Sequence, residues 1–372
     1  MGTNEGQVRM RVLLEAASLS LSSGGLARYT SELSLALARC FSEDEFILAS
    51  DQPFEMPPGP PVNLLRGGGP RTAAERRWWL WGLGREAARQ RVDVVHGPDF
   101  AVPYLSQRPS VMTLHDLSPW MDRRWHHAAR RIKQRTPVLF GLGIATMVVT
   151  PSETVRKQAL ERFRLPPEQV VAVPEAAPPW LARVETPPSR PYFLFVGTLE
   201  PRKNLGTLLK AFAQMIRETP LRPQLVVAGG AGWLMDETFV IMQDPDIRER
   251  LCLTGYLHDD DLRALYSSCR AFIYPSLYEG FGLPPLEAMA TGAPVIASRA
   301  AALLETLGEA AILVDPLDVQ GLSQAMVALL AAETRRAELI EKGRTQAAKF
   351  SWRRTAELTY DVYQRCVSAG RA

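Results

Sequence analysis

The residues most suited to chemistry lie in the stretch Tyr278-Glu279-Gly280-Phe281-Gly282-Leu283-Pro284-Pro285-Leu286-Glu287. Its two carboxylates, those of Glu279 and Glu287, are eight residues apart and flank two glycines. Glycine permits unusual dihedrals and close backbone approach, and the proline pair suits a first helical turn, where backbone N–H groups lack intrahelical partners. The apolar run Ala271 to Pro275 before it is typical of a strand. The pattern predicts a strand, a binding loop and a helix in succession.

The start of that predicted helix is suited to binding an anion. A helix N-terminus offers free amide donors and the positive end of the helix dipole, which favour phosphate. The two carboxylates repel phosphate, so we expect them to accept hydrogen bonds from hydroxyl groups. A ligand that carries both phosphates and hydroxyls is a nucleotide sugar. The alternative is that Glu279 and Glu287 are ordinary charges at a helix start, where the dipole favours them.

A basic turn occurs upstream, at Gly197-Thr198-Leu199-Glu200-Pro201-Arg202-Lys203-Asn204. Apolar residues follow it at helical spacing, at Leu205, Leu208, Leu209, Phe212, Met215 and Ile216. Arg202 and Lys203 therefore stand at a helix start, where cations are unfavourable unless an anion is bound. Arginine can fork onto phosphate oxygens, and lysine adds a point charge. We predict a phosphate-binding turn whose cations are exposed in the free protein; the alternative is a basic turn without a ligand.

Asp259-Asp260-Asp261 has the spacing of a metal-binding acidic pair. Aspartate just before the periodic Leu262, Leu265 and Tyr266 is also an ordinary helix cap, and we favour the cap. No other carboxylate or histidine cluster has ligand spacing. We therefore expect no metal site, and expect charge on a departing diphosphate to be met by Arg202, Lys203 and backbone amides.

The first half of the chain opens with a strand pattern at Val8 to Glu15, followed by the glycine pair Gly24-Gly25. Residues on one helical face come next, at Leu26, Tyr29, Leu33, Leu37 and Cys40. A glycine turn between a strand and a helix lets backbone amides approach a diphosphate, but it also serves simply as a tight turn.

Five further apolar runs in the first half predict strands, most of them separated by helical stretches: Phe46–Ala49, Val92–His96, Ser110–Leu114, Met147–Thr150 and Val170–Val173. This alternation predicts a parallel, doubly wound sheet, which binds ligands at the carboxyl ends of its strands. His96-Gly97-Pro98-Asp99-Phe100 and Thr113-Leu114-His115-Asp116 fall at such ends. His115 is suited to hydrogen-bonding a reacting sugar and equally to a structural role.

A chain of 372 residues is too long for one ordinary core and predicts two domains. Prolines cluster from Val173 to Pro191 and predict a stiff linker at 176–191. Six apolar runs then repeat the alternation: Tyr192–Val196, Leu225–Ala228, Leu251–Leu253, Ala271–Tyr274, Pro294–Ala297 and Ala311–Val314. We predict an α/β protein with a first domain at 1–175 and a second doubly wound domain at 192–350.

Composition adds expectations about compartment and partners. Hydrophobic residues make up 46% and charged residues 22%, as in soluble globular proteins. There is no apolar run of membrane-spanning length, and Met1 to Met10 is polar, so a cytoplasmic protein is expected. The four cysteines lack paired spacing, which predicts reduced and mostly buried thiols.

Basic charge is concentrated between Arg66 and Arg135, where 14 Lys and Arg stand against 6 Asp and Glu, an excess of +8. This segment is compatible with a solvated surface and with a face for an anionic acceptor or membrane headgroups. It also contains Trp78-Trp79-Leu80-Trp81 beside Arg76 and Arg77. We favour an ordinary helix half buried against the sheet there over an interfacial anchor, since Gly82 and Gly84 weaken a free-standing helix.

These motifs together resemble the retaining glycosyltransferases of family 4, which have the GT-B architecture of two Rossmann-like domains facing a cleft. The matching residues run from Gly24-Gly25 through His115, Gly197 to Asn204 and Gly255-Tyr256-Leu257 to Glu279 through Glu287, which spans nearly the whole chain. The glutamate pair framing Gly-Phe-Gly-Leu-Pro, together with Glu-Pro-Arg-Lys-Asn, is highly specific. The resemblance also implies that Ser351 to Val367 is a helix crossing back to the first domain, which then includes 351–372.

The resemblance implies a role for each matching residue. Glu279 would face the donor sugar's hydroxyls, Glu287 would bind the ribose, and Arg202 and Lys203 would hold the diphosphate. His115 would contact the sugar near its reacting face. Further donor contacts would come from Leu257 against the base and from backbone amides of Phe281, Gly282, Leu283, Gly24 and Gly25 at the phosphates.

The implied activity is retaining, metal-independent transfer of a hexosyl unit to a glycan or lipid-linked saccharide acceptor, with no cofactor and no nucleic-acid partner. The motifs are most similar to those of bacterial mannosyltransferases of cell-surface polysaccharide synthesis, so GDP-mannose is the expected donor. A UDP-sugar-dependent glucosyl or GlcNAc transferase remains the alternative within the family. A catalytically silent nucleotide-sugar-binding protein is the alternative of another class. An anionic membrane, at the inner face of the plasma membrane, is a further expected partner.

Overall fold

A computed structural model describes residues 9–20, 24–105, 107–125, 129–181, 191–233 and 236–369. By its internal contacts the chain divides into two compact units. Unit 1 comprises 1–120, 128–175 and 352–372, and unit 2 comprises 121–127 and 176–351. Much of the proline-rich linker expected at 176–191 lies outside the described residues, which resume at Pro191.

The described residues of unit 1 contain a seven-stranded sheet in the order β3-β2-β1-β4-β5-β6-β7. Every neighbouring pair is parallel, as in β1 with β2 and β4 with β5. The strands are β1 (Arg11–Glu15), β2 (Glu45–Ala49), β3 (Leu64–Arg66), β4 (Val94–Gly97), β5 (Ser110–Thr113), β6 (Met147–Thr150) and β7 (Val170–Ala172).

The described residues of unit 2 contain a six-stranded parallel sheet in the order β10-β9-β8-β11-β12-β13. Its strands are β8 (Tyr192–Val196), β9 (Gln224–Ala228), β10 (Leu251–Gly255), β11 (Ala271–Tyr274), β12 (Val295–Ser298) and β13 (Ala311–Val314). Central strands such as β11 are buried along their whole length, because helices cover both faces of a parallel sheet.

Fourteen α-helices occur among the described residues. Those of unit 1, with α3 reaching into unit 2 at Met121, are α1 (Gly25–Cys40), α2 (Leu83–Arg89), α3 (Ser118–Met121), α4 (Arg130–Gly141), α5 (Glu153–Phe163) and α14 (Trp352–Ala369). Those of unit 2 are α6 (Leu205–Glu218), α7 (Asp236–Met242), α8 (Pro245–Arg248), α9 (Asp259–Ser268), α10 (Leu283–Thr291), α11 (Ala301–Leu307), α12 (Val319–Ala331) and α13 (Glu333–Ala347).

The predicted helical faces are largely confirmed. All six apolar residues expected on one face of α6, from Leu205 to Ile216, are buried. In α1 the face at Tyr29, Leu33 and Leu37 is buried, but Cys40 at the end of the helix is exposed. The expectation of mostly buried thiols is therefore wrong for two of the four free cysteines, since Cys252 on the edge strand β10 is exposed as well.

The arginine- and tryptophan-rich stretch confirms the favoured interpretation of a half-buried helix. Trp78 to Gly82 forms one π-helical turn that runs into α2. Trp78 is buried in a core cluster with Leu13 and Ile47, whereas Trp81 is 41% exposed. One turn therefore contributes to the core of unit 1 and presents an aromatic ring to solvent.

Two segments depart from the predicted organisation. The segment 121–127 belongs to unit 2, whereas the prediction placed it in the first domain at 1–175. Within unit 2 the ring of Trp125 stacks on Tyr278 at 5.9 Å.

The acidic run Asp259 to Asp261 forms the first turn of α9, and the N-cap is His258. Aspartate in a first turn stabilises the helix through the dipole, so the run marks a helix start without supplying its cap.

Candidate functional site

The basic turn of unit 2 is built by the end of β8 and the start of α6. Pro201 to Lys203 forms a single 3-10 turn, and Asn204 then adopts a left-handed conformation with φ of 58°. The Asn204 side-chain amide donates to the carbonyls of Pro275 at 2.9 Å and Pro316 at 2.6 Å. Asparagine tolerates this conformation better than most residues, and the two bonds fix the turn that presents Arg202 and Lys203.

Arg202 and Lys203 lie against Glu279. The Lys203 ammonium is 2.7 Å from Oε1 of Glu279, and the Arg202 guanidinium is 3.2 Å from Oε2. Arg202 also pairs with Glu200 at 2.6 Å. Two cations and two carboxylates therefore form one cluster with no net formal charge.

All four side chains of this cluster are buried: Arg202 and Lys203 are each 9% exposed, Glu279 is 7% exposed and Glu200 is 6% exposed. The expectation that Lys203 is exposed in the free protein is wrong. A buried ammonium group requires a charged or hydrogen-bonding partner. Glu279, the residue predicted to face the hydroxyls of the donor sugar, is that partner.

Glu279 is held as a carboxylate. Burial by itself would raise its pKa, but the charges of Lys203 and Arg202 outweigh burial and lower the pKa to about 2. The Ser276 hydroxyl donates to Oε1 at 2.6 Å, and the Lys203 ammonium also donates to the Tyr274 hydroxyl oxygen. The carboxylate can therefore accept hydrogen bonds across the neutral pH range.

The loop after Glu279 turns into α10 as predicted. Gly282 is the N-cap with φ of 99°, and a Cβ there would lie 2.4 Å from Cδ2 of Leu303. Only glycine fits this position without strain. Pro284 lies in the first turn of α10, and Phe281 is buried, its carbonyl accepting from the Thr306 hydroxyl at 2.8 Å. Helix geometry leaves the amides of such a first turn without intrahelical acceptors.

Glu287 lies inside α10 and is 2% exposed. Its Oε2 accepts a hydrogen bond from the Tyr266 hydroxyl of α9 at 2.9 Å. The apolar spacing predicted only that Tyr266 lies on a helix face. Its hydrogen bond shows that it holds Glu287, the residue predicted to bind the ribose, in position. Leu257, predicted to lie against the base, is half buried and packs against the core of unit 2.

In unit 1, the glycine pair lies at the start of α1. Gly24 is the N-cap with φ of 123°, and both Gly24 and Gly25 are exposed. A Cβ built at either residue meets no heavy atom within 4 Å. The backbone at this helix start is accessible, which is the property that the predicted diphosphate contact requires; Ser22 and Ser23 before it lie outside the described residues.

His115 follows β5 and is bonded through both ring nitrogens. Nε2 is 2.7 Å from the carbonyl oxygen of Pro98, and Nδ1 is 3.3 Å from Oε1 of Glu175. Burial lowers the pKa of His115, but the hydrogen bond and charge of Glu175, with the Pro98 hydrogen bond and the charge of Asp99, together outweigh it and the net pKa is raised. The ring also meets the edge of Tyr29 at 4.7 Å between centroids. An imidazolium with a carboxylate partner is thereby favoured.

His96, at the end of β4, has a structural role. Its nitrogens lie 2.7 Å from the Tyr363 hydroxyl of α14 and 2.7 Å from the Thr113 hydroxyl of β5. The ring is fully buried, and burial lowers its pKa to about 3, so it is neutral at physiological pH. His96 joins the C-terminal helix to the sheet of unit 1, to which α14 belongs.

Several residues of these sites were missed by sequence reasoning: Glu175, Glu200, Tyr266, Tyr274 and Ser276. Glu175 and Ser276 follow strands by three and two residues, and Tyr274 ends one. Polar residues at the carboxyl ends of parallel strands could have drawn attention to them. Within the described residues, no group of three or more His, Cys, Asp or Glu could hold a metal ion.

Solved structures identify the class of this fold. Sucrose-phosphate synthase (tll1590) from Thermosynechococcus elongatus is similar over 97% of this chain and 100% of that chain, with a TM-score of 0.76 and 23% identity. Anabaena Alr3699/HepE, solved in complex with UDP and glucose, is similar over 95% of this chain and 99% of that chain, with a TM-score of 0.72 and 17% identity. Two parallel α/β units with these structural relatives define the GT-B fold.

Sequence comparison identifies the family. Residues 179–346 match Glycosyl transferases group 1, and residues 23–180 match Glycosyltransferase Family 4. The chain is 32% identical over 283 residues to the O-antigen chain mannosyltransferase B of Escherichia coli, which corresponds to 73% of this chain and 74% of that protein. The chain belongs to the glycosyltransferases of family 4, and it is a glycosyltransferase.

Proposed function

We propose that this glycosyltransferase moves mannose from GDP-mannose, with retention of configuration, to a glycan or lipid-linked saccharide in the synthesis of cell-surface polysaccharide. The observation that carries the proposal is the cluster of Arg202, Lys203 and Glu279, of which Glu279 lies four residues before the start of α10. It combines cations for phosphate with a carboxylate for hydroxyls. The choice of mannose rests on the E. coli relative, whose name assigns it to O-antigen chain mannosyl transfer.

In this proposal unit 2 binds the donor. Amides of Phe281, Gly282 and Leu283 and the helix dipole of α10 meet the diphosphate, with Arg202 and Lys203. Because both cations are paired in the free protein, a donor phosphate competes with Glu279 and Glu200 for them. Glu279 then turns toward sugar hydroxyls, while Glu287 binds the ribose and Leu257 lies against the base.

Unit 1 supplies His115 and the start of α1. Of the two bonds of His115, the 3.3 Å contact with Glu175 is the weaker, and a sugar hydroxyl can replace it while Pro98 keeps the ring in place. The accessible amides at Gly24 and Gly25 are the unit's contribution to phosphate binding.

Retention follows from a front-side substitution. The bond from the anomeric carbon to the leaving phosphate oxygen breaks while a bond to the acceptor oxygen forms on the same face. The acceptor's proton passes to the departing phosphate oxygen, which leaves as the nucleoside diphosphate. The protein positions both substrates and stabilises the charge on the departing phosphate. Metal-dependent enzymes use a metal ion for this stabilisation.

The proposal is tested with purified protein and a panel of GDP-mannose, UDP-glucose and UDP-GlcNAc, with and without EDTA. We expect slow release of GDP from GDP-mannose in water, unchanged by EDTA, and an axial glycosidic product with a saccharide acceptor. Release of UDP instead would identify the UDP-sugar alternative, which the structural likeness to a protein solved with UDP favours. Tight nucleotide-sugar binding without turnover would identify a silent binding protein, and activity restored only by magnesium or manganese would contradict metal independence.

We further propose that the protein is cytoplasmic and associates with the inner face of an anionic membrane. In the part of the chain described here, no helix has the length and apolar character needed to cross a bilayer. The support is the +8 excess between Arg66 and Arg135. Some of this charge is internally paired, as in Arg89 with Glu75 at 3.0 Å, but Arg76, Arg77, Arg130 and Arg131 are exposed. Co-sedimentation with anionic vesicles should weaken as salt rises, and equal sedimentation with neutral vesicles would contradict the proposal.

A further inference from the structure

Unit 1 carries a groove along α4 that takes no part in the donor-binding and catalytic roles proposed above, although two of its arginines, Arg130 and Arg131, belong to the exposed charge proposed to meet a membrane. It has a volume of about 720 Å³, within the range of about 300–1,000 Å³ typical of ligand sites. Its lining includes Tyr104, Leu105, Arg131, Arg135, Val138 and Leu142. We call it the α4 groove.

One part of the α4 groove is apolar and open to solvent. Leu105 is 52% exposed, Val138 is 55% exposed and Leu142 is 69% exposed. Val138 lies in the last turn of α4 and Leu142 is its C-cap, with its backbone N–H donating to the Val138 carbonyl at 3.0 Å, so the two side chains lie on the same side of the helix end. Large aliphatic side chains that are exposed together in a concave surface favour an apolar ligand.

The other part of the groove is cationic. Arg130 and Arg131 are exposed at the first turn of α4, and Arg135 lies one turn further along. The N-cap is Ala129, whose side chain has no hydrogen-bonding group. Three arginines near a helix N-terminus oppose the helix dipole, and an anion relieves that repulsion. The guanidinium of Arg135 stands over the ring of Trp79 at 5.1 Å.

Arg135 links the groove to the carboxyl end of β4, near His115. Asp99, at the carboxyl end of β4, is close enough to both Arg135 and His115 that each lowers its pKa, although burial outweighs them and the net pKa is raised. His115 bonds to Pro98, the residue before Asp99. Arg135, which lines the groove, and His115 are therefore both near Asp99.

We propose that the α4 groove binds the hydrocarbon chain and phosphate of a lipid-linked saccharide acceptor. The chain lies on Leu105, Val138 and Leu142, and the phosphate binds Arg131 and Arg135. An amphiphile with one anionic end matches a groove with one cationic and one aliphatic part better than a peptide or a free sugar does. This inference rests on the proposed function, because it specifies the acceptor that the transferase uses.

The test uses the full-length protein and farnesyl diphosphate as the probe, with binding followed by tryptophan fluorescence or calorimetry. The informative variants are Val138→Ser/Leu142→Ser and Arg131→Ser. Matched controls are Val62→Ser, which is 97% exposed elsewhere in unit 1, and Arg162→Ser at the exposed end of α5. All of these positions are on the surface, so folding is preserved. Farnesol and inorganic pyrophosphate are measured in parallel.

We expect saturable binding of farnesyl diphosphate that is weakened at least about tenfold by each groove variant, since each removes roughly 1.4 kcal/mol or more of contact. The controls should change it less than about twofold, and farnesol and pyrophosphate should bind more weakly. Binding that the groove variants leave unchanged would overturn the proposal. So would a failure to bind the probe while anionic vesicles bind in a manner sensitive to these variants, which would make the groove a membrane-docking surface.

Release of GDP from GDP-mannose in water separates this proposal from the function on which it rests. That reaction needs only the donor, so the groove variants should leave it unchanged. Probe binding without release of GDP would support the groove and reject the proposed use of GDP-mannose. Release of GDP without probe binding would support that use of GDP-mannose and reject the groove as an acceptor site.

Discussion

The ammonium of Lys203 lies 2.7 Å from Oε1 of Glu279, although the two residues are 76 positions apart in the sequence. Both are buried, and Arg202 shares the same carboxylate. The two strongest sequence signals of this family member, the basic turn and the glutamate loop, are therefore one electrostatic unit in the free protein. We therefore expect a change of either partner to affect stability as well as the proposed donor binding.

The first prediction concerns Lys203→Ala. We expect it to destabilise the protein by about 3–5 kcal/mol, because it leaves a buried carboxylate without its ammonium partner. It should also weaken donor binding. The matched control is Lys210→Ala, an exposed lysine of α6 that should change stability by less than about 0.5 kcal/mol. Urea unfolding at neutral pH measures the stability of both variants. Equal unfolding midpoints for the two would refute the paired arrangement.

The second prediction is the acid dependence of this pair. The pKa of Glu279 is about 2 in the folded protein, against an ordinary value of 4.5, so the unfolded chain binds more protons between those values. Its contribution to stability is therefore present above pH 4.5 and is lost as pH falls through about 2. The difference corresponds to about 3 kcal/mol. Stability curves of the wild type and Glu279→Gln should converge as the solution is acidified; parallel curves from pH 5 to pH 2 would contradict this.

The third prediction separates the two glutamates kinetically. We expect Glu287→Ala to raise the donor KM at least about tenfold through the lost ribose contact, with kcat changed little. Glu279→Gln should lower kcat by about a hundredfold, since its carboxylate also organises Arg202 and Lys203. Tyr266→Phe is the control for position, because it removes only the hydroxyl that holds Glu287 and should give a smaller rise in KM. Equal effects of both glutamate variants on both parameters would contradict this division.

The fourth prediction concerns His115 and Glu175. Burial lowers the pKa of His115, but the hydrogen bond and charge of Glu175, helped by Pro98 and Asp99, outweigh it and the net pKa is raised. Glu175→Gln removes that charge, so the pKa of His115 should fall and the corresponding limb of the pH–rate profile should move to lower pH. The stabilising contribution of the raised pKa is present below about pH 6.5 and is lost as pH rises through the folded value. NMR titration, with the signal assigned through His115→Asn, measures the shift; an unchanged pKa would show that Glu175 does not act on the ring.

Local pattern was enough to predict most of the strands. Among the residues that the structure describes, every strand of unit 2 and six of the seven in unit 1 lie within or beside a predicted apolar run, because strands buried on both faces are continuously apolar. The missing strand, β3, is a three-residue edge strand with only Leu64 buried, so it has no such run. The loop before α10 could also be predicted from local pattern. Gly282 is the N-cap with a positive φ, and Pro284 lies in the first turn of the helix, so each position has a local conformational reason.

What the sequence determined by itself was the residue types of the proposed donor site: a basic turn before α6, and a glutamate and two glycines before α10. Only the tertiary structure decided that these cations are buried on that glutamate. The physical reason is that β8 and β11 are adjacent parallel strands, so the turns that follow their carboxyl ends meet. In the same way β4 and β5 are neighbours, and their ends bring Pro98 to His115. The spacing of residues along the chain does not show which strands are neighbours in the sheet. The strand order places Lys203 beside Glu279, and this contact is why Lys203 is buried and not exposed.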